Sequence, residues 1–204
     1  GSVLANQIMQ HFTRLPNQIA FMQFNHLDTH DIHRFHTLAE VYDWKVYRGL
    51  IILLFMLPGA PSIYYGDEVK LDGHPDSFEG CRYPMVWDES RWDKSYFNLY
   101  QTLAHLKKKE TALHQGSYKV LYSDDETMVF SRFNGEKAFF AVVTRNEQRK
   151  TISIPVVLTG ASGIDKTGAE KANTAREVFT GREERVTGGT IELTIEAKEN
   201  LLFS

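Results

Sequence analysis

Ile19-Ala20-Phe21-Met22-Gln23-Phe24-Asn25-His26-Leu27-Asp28-Thr29-His30-Asp31 passes from apolar to polar chain, and its reading decides the fold. Ile19 to Phe24 is a nearly continuous apolar run, the pattern of a strand covered on both faces. The pair His30-Asp31 follows at its carboxyl end, with Ile32-His33-Arg34-Phe35 next. A buried strand that delivers such a pair at its C-terminal end is how a (β/α) barrel presents catalytic groups. Asp31 is therefore the leading catalytic candidate. An Asp in this setting can also open a turn or cap the next helix.

Working outward, Val3, Leu4, Ile8, Met9, Phe12 and Leu15 form a helical stripe that Pro16 ends. Trp44 to Met56 predicts a second helix, apolar almost all round in its later half and so deeply buried. Pro58-Gly59-Ala60-Pro61 stops it, and Ser62-Ile63-Tyr64-Tyr65 reads as another short strand. Ser95 to Leu106 places Tyr96, Phe97, Tyr100, Leu103 and Leu106 on one helical face, with Lys107, Lys108 and Lys109 suited to its C-terminal dipole. Helices alternating with strands indicate consecutive units on a parallel sheet.

Beyond residue 112 the period changes to two. Met128–Phe133 and Lys137–Val143 flank Asn134-Gly135, a hairpin signal. Ile152, Ile154 and Val156 alternate with polar residues, as do Ile191, Leu193 and Ile195, and Gly188-Gly189 marks a turn. Thr159–Thr174 reads as a long exposed loop. The expected fold is thus α/β plus all-β: the last part of a barrel over residues 3–112, then an antiparallel β-sandwich of roughly six to eight strands over 113–204.

The bulk numbers exclude several classes. With 42% apolar and 24% charged residues the 204-residue chain is of ordinary globular composition. A net charge of −3 supplies no basic field for nucleic acid and no polybasic membrane signal. The longest apolar run, Leu50–Leu57, has eight residues, against the ~20 that span a bilayer. Cys81 is alone, so no internal disulfide forms and the redox compartment stays open. Gly1-Ser2 reads as a tag-cleavage scar, which leaves localisation undetermined.

His26, His30, His33 and His36 crowd together, and with Asp28 or Asp31 could be imagined around zinc. The stretch follows a strand and enters a loop, however, so helical spacing does not apply, and no Glu lies beside a histidine as in a metalloprotease motif. No metal or other cofactor is expected.

Three motifs carry a resemblance. Asn25-His26-Leu27-Asp28-Thr29-His30-Asp31 resembles the segment of the α-amylase family in which a barrel strand ends in a His-Asp pair. Leu57-Pro58-Gly59-Ala60-Pro61-Ser62-Ile63-Tyr64-Tyr65-Gly66-Asp67-Glu68 is similar to that family's eighth barrel strand and its approach. Cys81-Arg82-Tyr83-Pro84-Met85-Val86-Trp87-Asp88 resembles a loop of its bacterial neopullulanase, cyclomaltodextrinase and maltogenic amylase members. The resemblance covers residues 3 to about 112 by motif, and the remainder by position and pattern.

It implies the last two strands and helices of a (β/α)8 TIM barrel, with an α-glucan oligosaccharide as substrate. Asp31 would be the third catalytic carboxylate, stabilising an oxocarbenium-like transition state through the sugar hydroxyls. His30 would share that sugar, and Arg82 and Asp76 would hold the same ring, the fork of the guanidinium suiting the task. Asp76 stands further from Arg82 than the family pattern, and Glu79 competes with it. Tyr64 and Tyr65 are expected to pack, Asp67 and Glu68 to brace their loop, Arg34 to form a structural ion pair, and Trp87 and Trp92 to anchor a loop.

Retaining glycoside hydrolysis also needs a nucleophile and an acid/base about 5–5.5 Å apart. The family draws both from earlier strands, and residues 1–18 hold no Asp or Glu. The chain is thus expected to be a C-terminal piece, inactive alone, with barrel faces left open to homo-association. The rival reading is a non-catalytic carbohydrate-binding or scaffold module, which would need an exposed aromatic platform on the sandwich. Its Phe130, Phe133, Phe139, Phe140 and Phe179 read mostly as core.

Overall fold

A computed structural model describes residues 1–38, 43–159 and 174–204. Helix α1 (Ser2–Thr13) lies where the stripe predicted it, with Ala5 and Phe12 buried. The apolar run that follows departs from expectation. Pro16, extended at φ −55° and ψ 141°, starts a short helix α2 (Asn17–Phe21), and only Phe24–Asn25 (β1) is strand. Among the described residues β1 has a single pairing partner: it pairs in parallel with β2 (Ala60–Pro61) after the long helix α3 (Trp44–Met56). Residues 17–21 instead bond locally, Ile19 and Ala20 donating to the Pro16 carbonyl. The run is also not covered on both faces, since Phe24 is 76% exposed and Met22 77%.

The expected strand at Ser62–Tyr65 is likewise corrected. The ladder ends with Ser62 N–H donating to Asn25 O at 2.7 Å. Tyr64 and Tyr65 then leave it, before a left-handed turn at Gly66 (φ 89°).

α3 meets its prediction along its whole length, with every residue from Ile51 to Met56 buried. Asp43 caps its start by accepting from Lys45 N–H. Gly49 lets it approach the Asn200 side chain, which a Cβ would strike. Helix α4 (Lys94–Lys109) packs beside it through Tyr96, Leu99, Tyr100 and Leu103, and the short α5 (Thr111–His114) follows. Lys107 does not serve its own helix dipole. It is buried, and its Nζ donates to the carbonyls of Phe55, in α3, and Leu57, just after it, at 2.9 and 2.8 Å.

Among the described residues eight strands follow: β3 (Ser117–Ser123), β4 (Thr127–Phe133), β5 (Ala138–Thr144), β6 (Lys150–Ile154), β7 (Thr174–Arg176), β8 (Glu183–Arg185), β9 (Ile191–Ile195) and β10 (Leu201–Phe203). They form a four-stranded antiparallel sheet in the order β10-β5-β4-β3 and two antiparallel pairs, β6-β9 and β7-β8. The hairpin turn is Asn134–Lys137, closed by Asn134 Oδ1 accepting from Glu136 N–H and Lys137 N–H. Most of the expected exposed loop, 160–173, lies outside the described residues.

Side chains of the large sheet alternate between two cores. Met128, Phe130, Phe139, Ala141 and Leu202 meet α3 and α4 on one face. Val129, Phe140, Val142, Leu201 and Phe203 meet Ile152, Leu193 and Ile195 of the β6-β9 pair on the other. Each such aromatic or branched side chain contributes roughly 1.5–3 kcal/mol when fully buried. The large sheet therefore separates two hydrophobic cores, one against the helices and one against the β6-β9 pair. Their position leaves the loops at residues 26–38 and 62–93 to carry the polar residues of interest.

Candidate functional site

Asp31 lies six residues beyond β1, in a turn where its N–H donates to Thr29 Oγ1 at 3.3 Å. It is therefore set on a loop, not at the strand end. Its carboxylate caps no helix among the described residues, whereas Asp43, Asp88 and Asp93 each accept from an N–H two residues on. Asp31 Oδ1 instead accepts from Arg82 Nη2 at 2.9 Å, and Oδ2 lies 3.2 Å from His30 Nε2. All three side chains stay open to solvent: Asp31 is 68% exposed, His30 53% and Arg82 55%. Three residues singled out from the sequence thus converge across 51 positions of chain.

What holds them centres on a buried cation. Arg34 is wholly enclosed, and its Nη1 donates to Asp67 Oδ1 at 2.9 Å and to Tyr65 O at 2.7 Å. Its Nη2 donates to Cys81 O at 3.4 Å. Tyr64 Oη donates to the same Cys81 carbonyl at 3.1 Å, and Tyr65 Oη to Tyr83 O at 2.8 Å. The carbonyls on both sides of Arg82 are thereby fixed, which aims its guanidinium at Asp31. The two tyrosine rings meet edge to face, with the Arg34 guanidinium 4.6 Å from one centroid and 5.1 Å from the other. Gly80, at φ 61°, leaves room beside Arg82 Nη1.

On the other side, Asp28 is buried and accepts from Phe35 N–H at 2.7 Å, so it fixes the loop that presents Asp31. Asp28 also faces Asp67. Burial, reinforced by the Asp28 carboxylate, pushes the Asp67 carboxyl up to about 8 despite the opposing pull of Arg34. A proton held on Asp67 keeps this enclosed group near neutrality. Sequence reasoning recognised Arg34 as a structural ion-pair residue but missed Asp28 and the carbonyl-clamping tyrosines. Tyr64 and Tyr65 clamp carbonyls 17 and 18 residues away, which leaves no local signal for that role.

Asp76 does not join Asp31 through any direct contact among the described residues. Its carboxylate sits 3.6 Å from His74 Nδ1, and the His74 ring packs edge-on to His33 at 4.4 Å, so its loop flanks the site. The four early histidines diverge. His36 is buried against Tyr47 and Tyr96 and lies 3.6 Å from Asp72, and burial lowers its pKa. Among the described residues no three metal-ligating side chains gather into a site. Trp92 anchors its loop as expected, Nε1 donating to Val86 O at 2.6 Å, whereas Trp87, expected to do the same, is 80% exposed. No aromatic side chain of residues 113–204 is exposed among those described. No described helix is long and apolar enough to cross a membrane.

No protein-family model matches the chain. A cyclomaltodextrinase of a Bacillus species is 37% identical over 135 residues, which is 60% of this chain and 24% of that protein. Neopullulanase 2 of Thermoactinomyces vulgaris is 25% identical over 209 aligned positions, covering 100% of this chain and 33% of its own. The crystal structure of a debranching enzyme from Nostoc punctiforme superposes with a TM-score of 0.77 at 25% identity, over 100% of this chain and 38% of that one. The chain spans about a quarter to a third of the length of these curated relatives. Matched by sequence and by fold to the same group of enzymes that its three motifs resemble, the chain belongs to the α-amylase family of glycoside hydrolases.

Proposed function

We propose that this chain supplies the transition-state-stabilising carboxylate of an α-glycosidase that cleaves α-1,4-glucosidic bonds in maltodextrin, cyclodextrin, pullulan or starch. The observation that carries the proposal is the Asp31 carboxylate, held towards solvent by Arg82 at 2.9 Å and flanked by His30. In this role Asp31 accepts hydrogen bonds from ring hydroxyls that tighten as positive charge develops at the anomeric carbon. His30 donates to the same sugar, Arg82 orients both the carboxylate and the ring, and Asp76 contacts the sugar from the neighbouring loop. The parallel β1–β2 pair with α3 and α4 forms the last two strands and helices of the catalytic barrel, in residues 3–112. Residues 113–204 form a C-terminal β-domain.

The nucleophile and acid/base of the double displacement come from chain beyond these residues, and this chain alone is inactive. Ile19, Met22 and Phe24, exposed beside β1, favour its association with a barrel face or with another copy. The test combines this chain with the complementary N-terminal part of the Bacillus cyclomaltodextrinase and follows maltoheptaose hydrolysis. No turnover is expected from the chain alone. Turnover by the combination should fall about 10²–10³-fold with Asp31→Asn. Hydrolysis by the purified chain alone, or a combined activity indifferent to Asp31→Asn, contradicts the proposal.

A further inference from the structure

Beside Arg82, an open cleft of about 700 Å³ runs along Tyr83–Asp88 and is closed on its far side by Val69–Asp72 and Arg91–Trp92. Its volume is within the range of small-molecule sites. Its most unusual feature is Trp87, 80% exposed, on which no ring or cation is stacked among the described residues. The backbone on both sides of that side chain is fixed. Before it, Val86 O accepts from Trp92 Nε1 at 2.6 Å. After it, the Asp88 carboxylate accepts from Ser90 N–H at 3.0 Å and Ser90 Oγ at 2.7 Å. Trp92 in turn is held by Phe97 at 5.1 Å and by the Lys94 ammonium at 4.9 Å. An indole that is solvent-exposed but carried on fixed backbone is a pre-organised stacking surface.

The polar lining selects the class of ligand. Lys70 and Arg91 oppose Asp72 and Asp88 around the cleft, two cations against two carboxylates. A balanced set of donors and acceptors beside an aromatic face suits an uncharged polyhydroxylated ring, whose apolar face stacks while its hydroxyls bond to ionised groups. It does not suit a phosphate or a metal ion. We propose that this cleft binds a short α-glucan segment against Trp87, as a subsite separate from the Asp31–Arg82 pair and opening next to it. The inference rests on the proposed α-glucan chemistry of Asp31, and Trp87 is the residue that distinguishes it.

The chain contains three tryptophans, so its indole N–H signals in an NMR spectrum report Trp44, Trp87 and Trp92 separately. Maltoheptaose titrated to roughly 10 mM, a range suited to an open millimolar site, should shift Trp87 and Trp92 saturably and leave Trp44 in place. Trp87→Ala should weaken binding by about tenfold or more. Trp87→Phe should restore most of it, and Asp31→Asn should weaken it less than Trp87→Ala does. Absence of shifts, equal affinity in wild type and Trp87→Ala, or the same shifts with inorganic phosphate would overturn the inference. A dimer seen by light scattering that Trp87→Ala dissolves would also overturn it, by assigning the cleft to a second copy. Binding that depends on Asp31 and not on Trp87 sinks this subsite while leaving the proposed catalytic role standing. Loss of that role in the hydrolysis test, with Trp87 binding intact, has the reverse meaning.

Discussion

Along β4 and β5 the backbone is satisfied by its own ladder, pair by pair from Thr127–Thr144 to Phe133–Ala138, and apolar side chains of alternating direction fill both faces. Around Asp31 the chain has almost no ladder. Between Ser62 and Tyr83 local backbone turns are joined to the rest by side chains, with Arg34, Tyr64 and Tyr65 donating to the carbonyls of Tyr65, Cys81 and Tyr83. The first arrangement spreads stability over many weak contacts. The second concentrates it on one buried guanidinium. A site that must expose a charged pair cannot be packed from above, so it is held from beneath by polar groups with fixed geometry.

The largest expected effect breaks the sheet side of this comparison. Phe130, fully buried between the sheet and the helices, should cost about 3–5 kcal/mol as Phe130→Ala, read as a lowered denaturant midpoint. The Arg82–Asp31 geometry should survive in the folded fraction. Arg34→Met should cost about 3 kcal/mol in the same experiment, because Asp67 is left without its cation and three donated bonds are lost. Protonation of Asp67 limits the damage. If Arg34→Met is neutral, the loops are held by something other than this clamp.

How legible each region was in the sequence follows the same division. The strands of the large sheet announce themselves because Met128, Phe130, Phe139 and Ala141 alternate with Val129, Phe140 and Val142, a local period that needs no knowledge of partners. α3 was equally plain from its continuous apolar half. Ile19–Phe24 looked as regular yet folds as a helical turn and a two-residue strand, because strand character depends on a neighbour and, among the described residues, β1 pairs with β2 alone. For the site, Asp31, His30 and Arg82 were readable as motif residues, and the structure brings them together. Tyr64 and Tyr65 were not readable in their roles, since those roles arise from contacts 17 and 18 residues away, and Asp28 was not, since its bond to Phe35 N–H needs the fold of the intervening loop. The exposure of Trp87 was hidden too, as a tryptophan in a loop gives no indication of which way it points.

Two further predictions sharpen the contrast through pH. Lys107 is buried against the Phe55 and Leu57 carbonyls with no carboxylate, and burial pushes its pKa down to about 7. Between about 7 and the ordinary value of 10.5 the unfolded chain binds a proton that the folded chain releases, so stability from this group rises with pH. Lys107→Met should remove that rise and cost about 1–3 kcal/mol, from the carbonyls left unpaired. Asp67 has the opposite sign. Its folded pKa lies above the ordinary 3.8, so the native state keeps a proton that the unfolded chain gives up, and stability falls as pH rises from about 4 through about 8. Asp67→Asn, which can still accept from Arg34 and donate to Asp28, should flatten that fall with the smallest change at pH 5. Denaturant melts of both variants between pH 4 and 10 check the two slopes, and slopes of equal sign would refute the assignment.

The clamp beneath Arg82 is tested most directly by backbone ¹⁵N relaxation at the Arg82 amide in wild type, Phe130→Ala and Arg34→Met, under conditions where each variant is folded. The account predicts an order parameter of about 0.85 in wild type and in Phe130→Ala, and below about 0.6 in Arg34→Met. An Arg82 amide that stays rigid in Arg34→Met would contradict it.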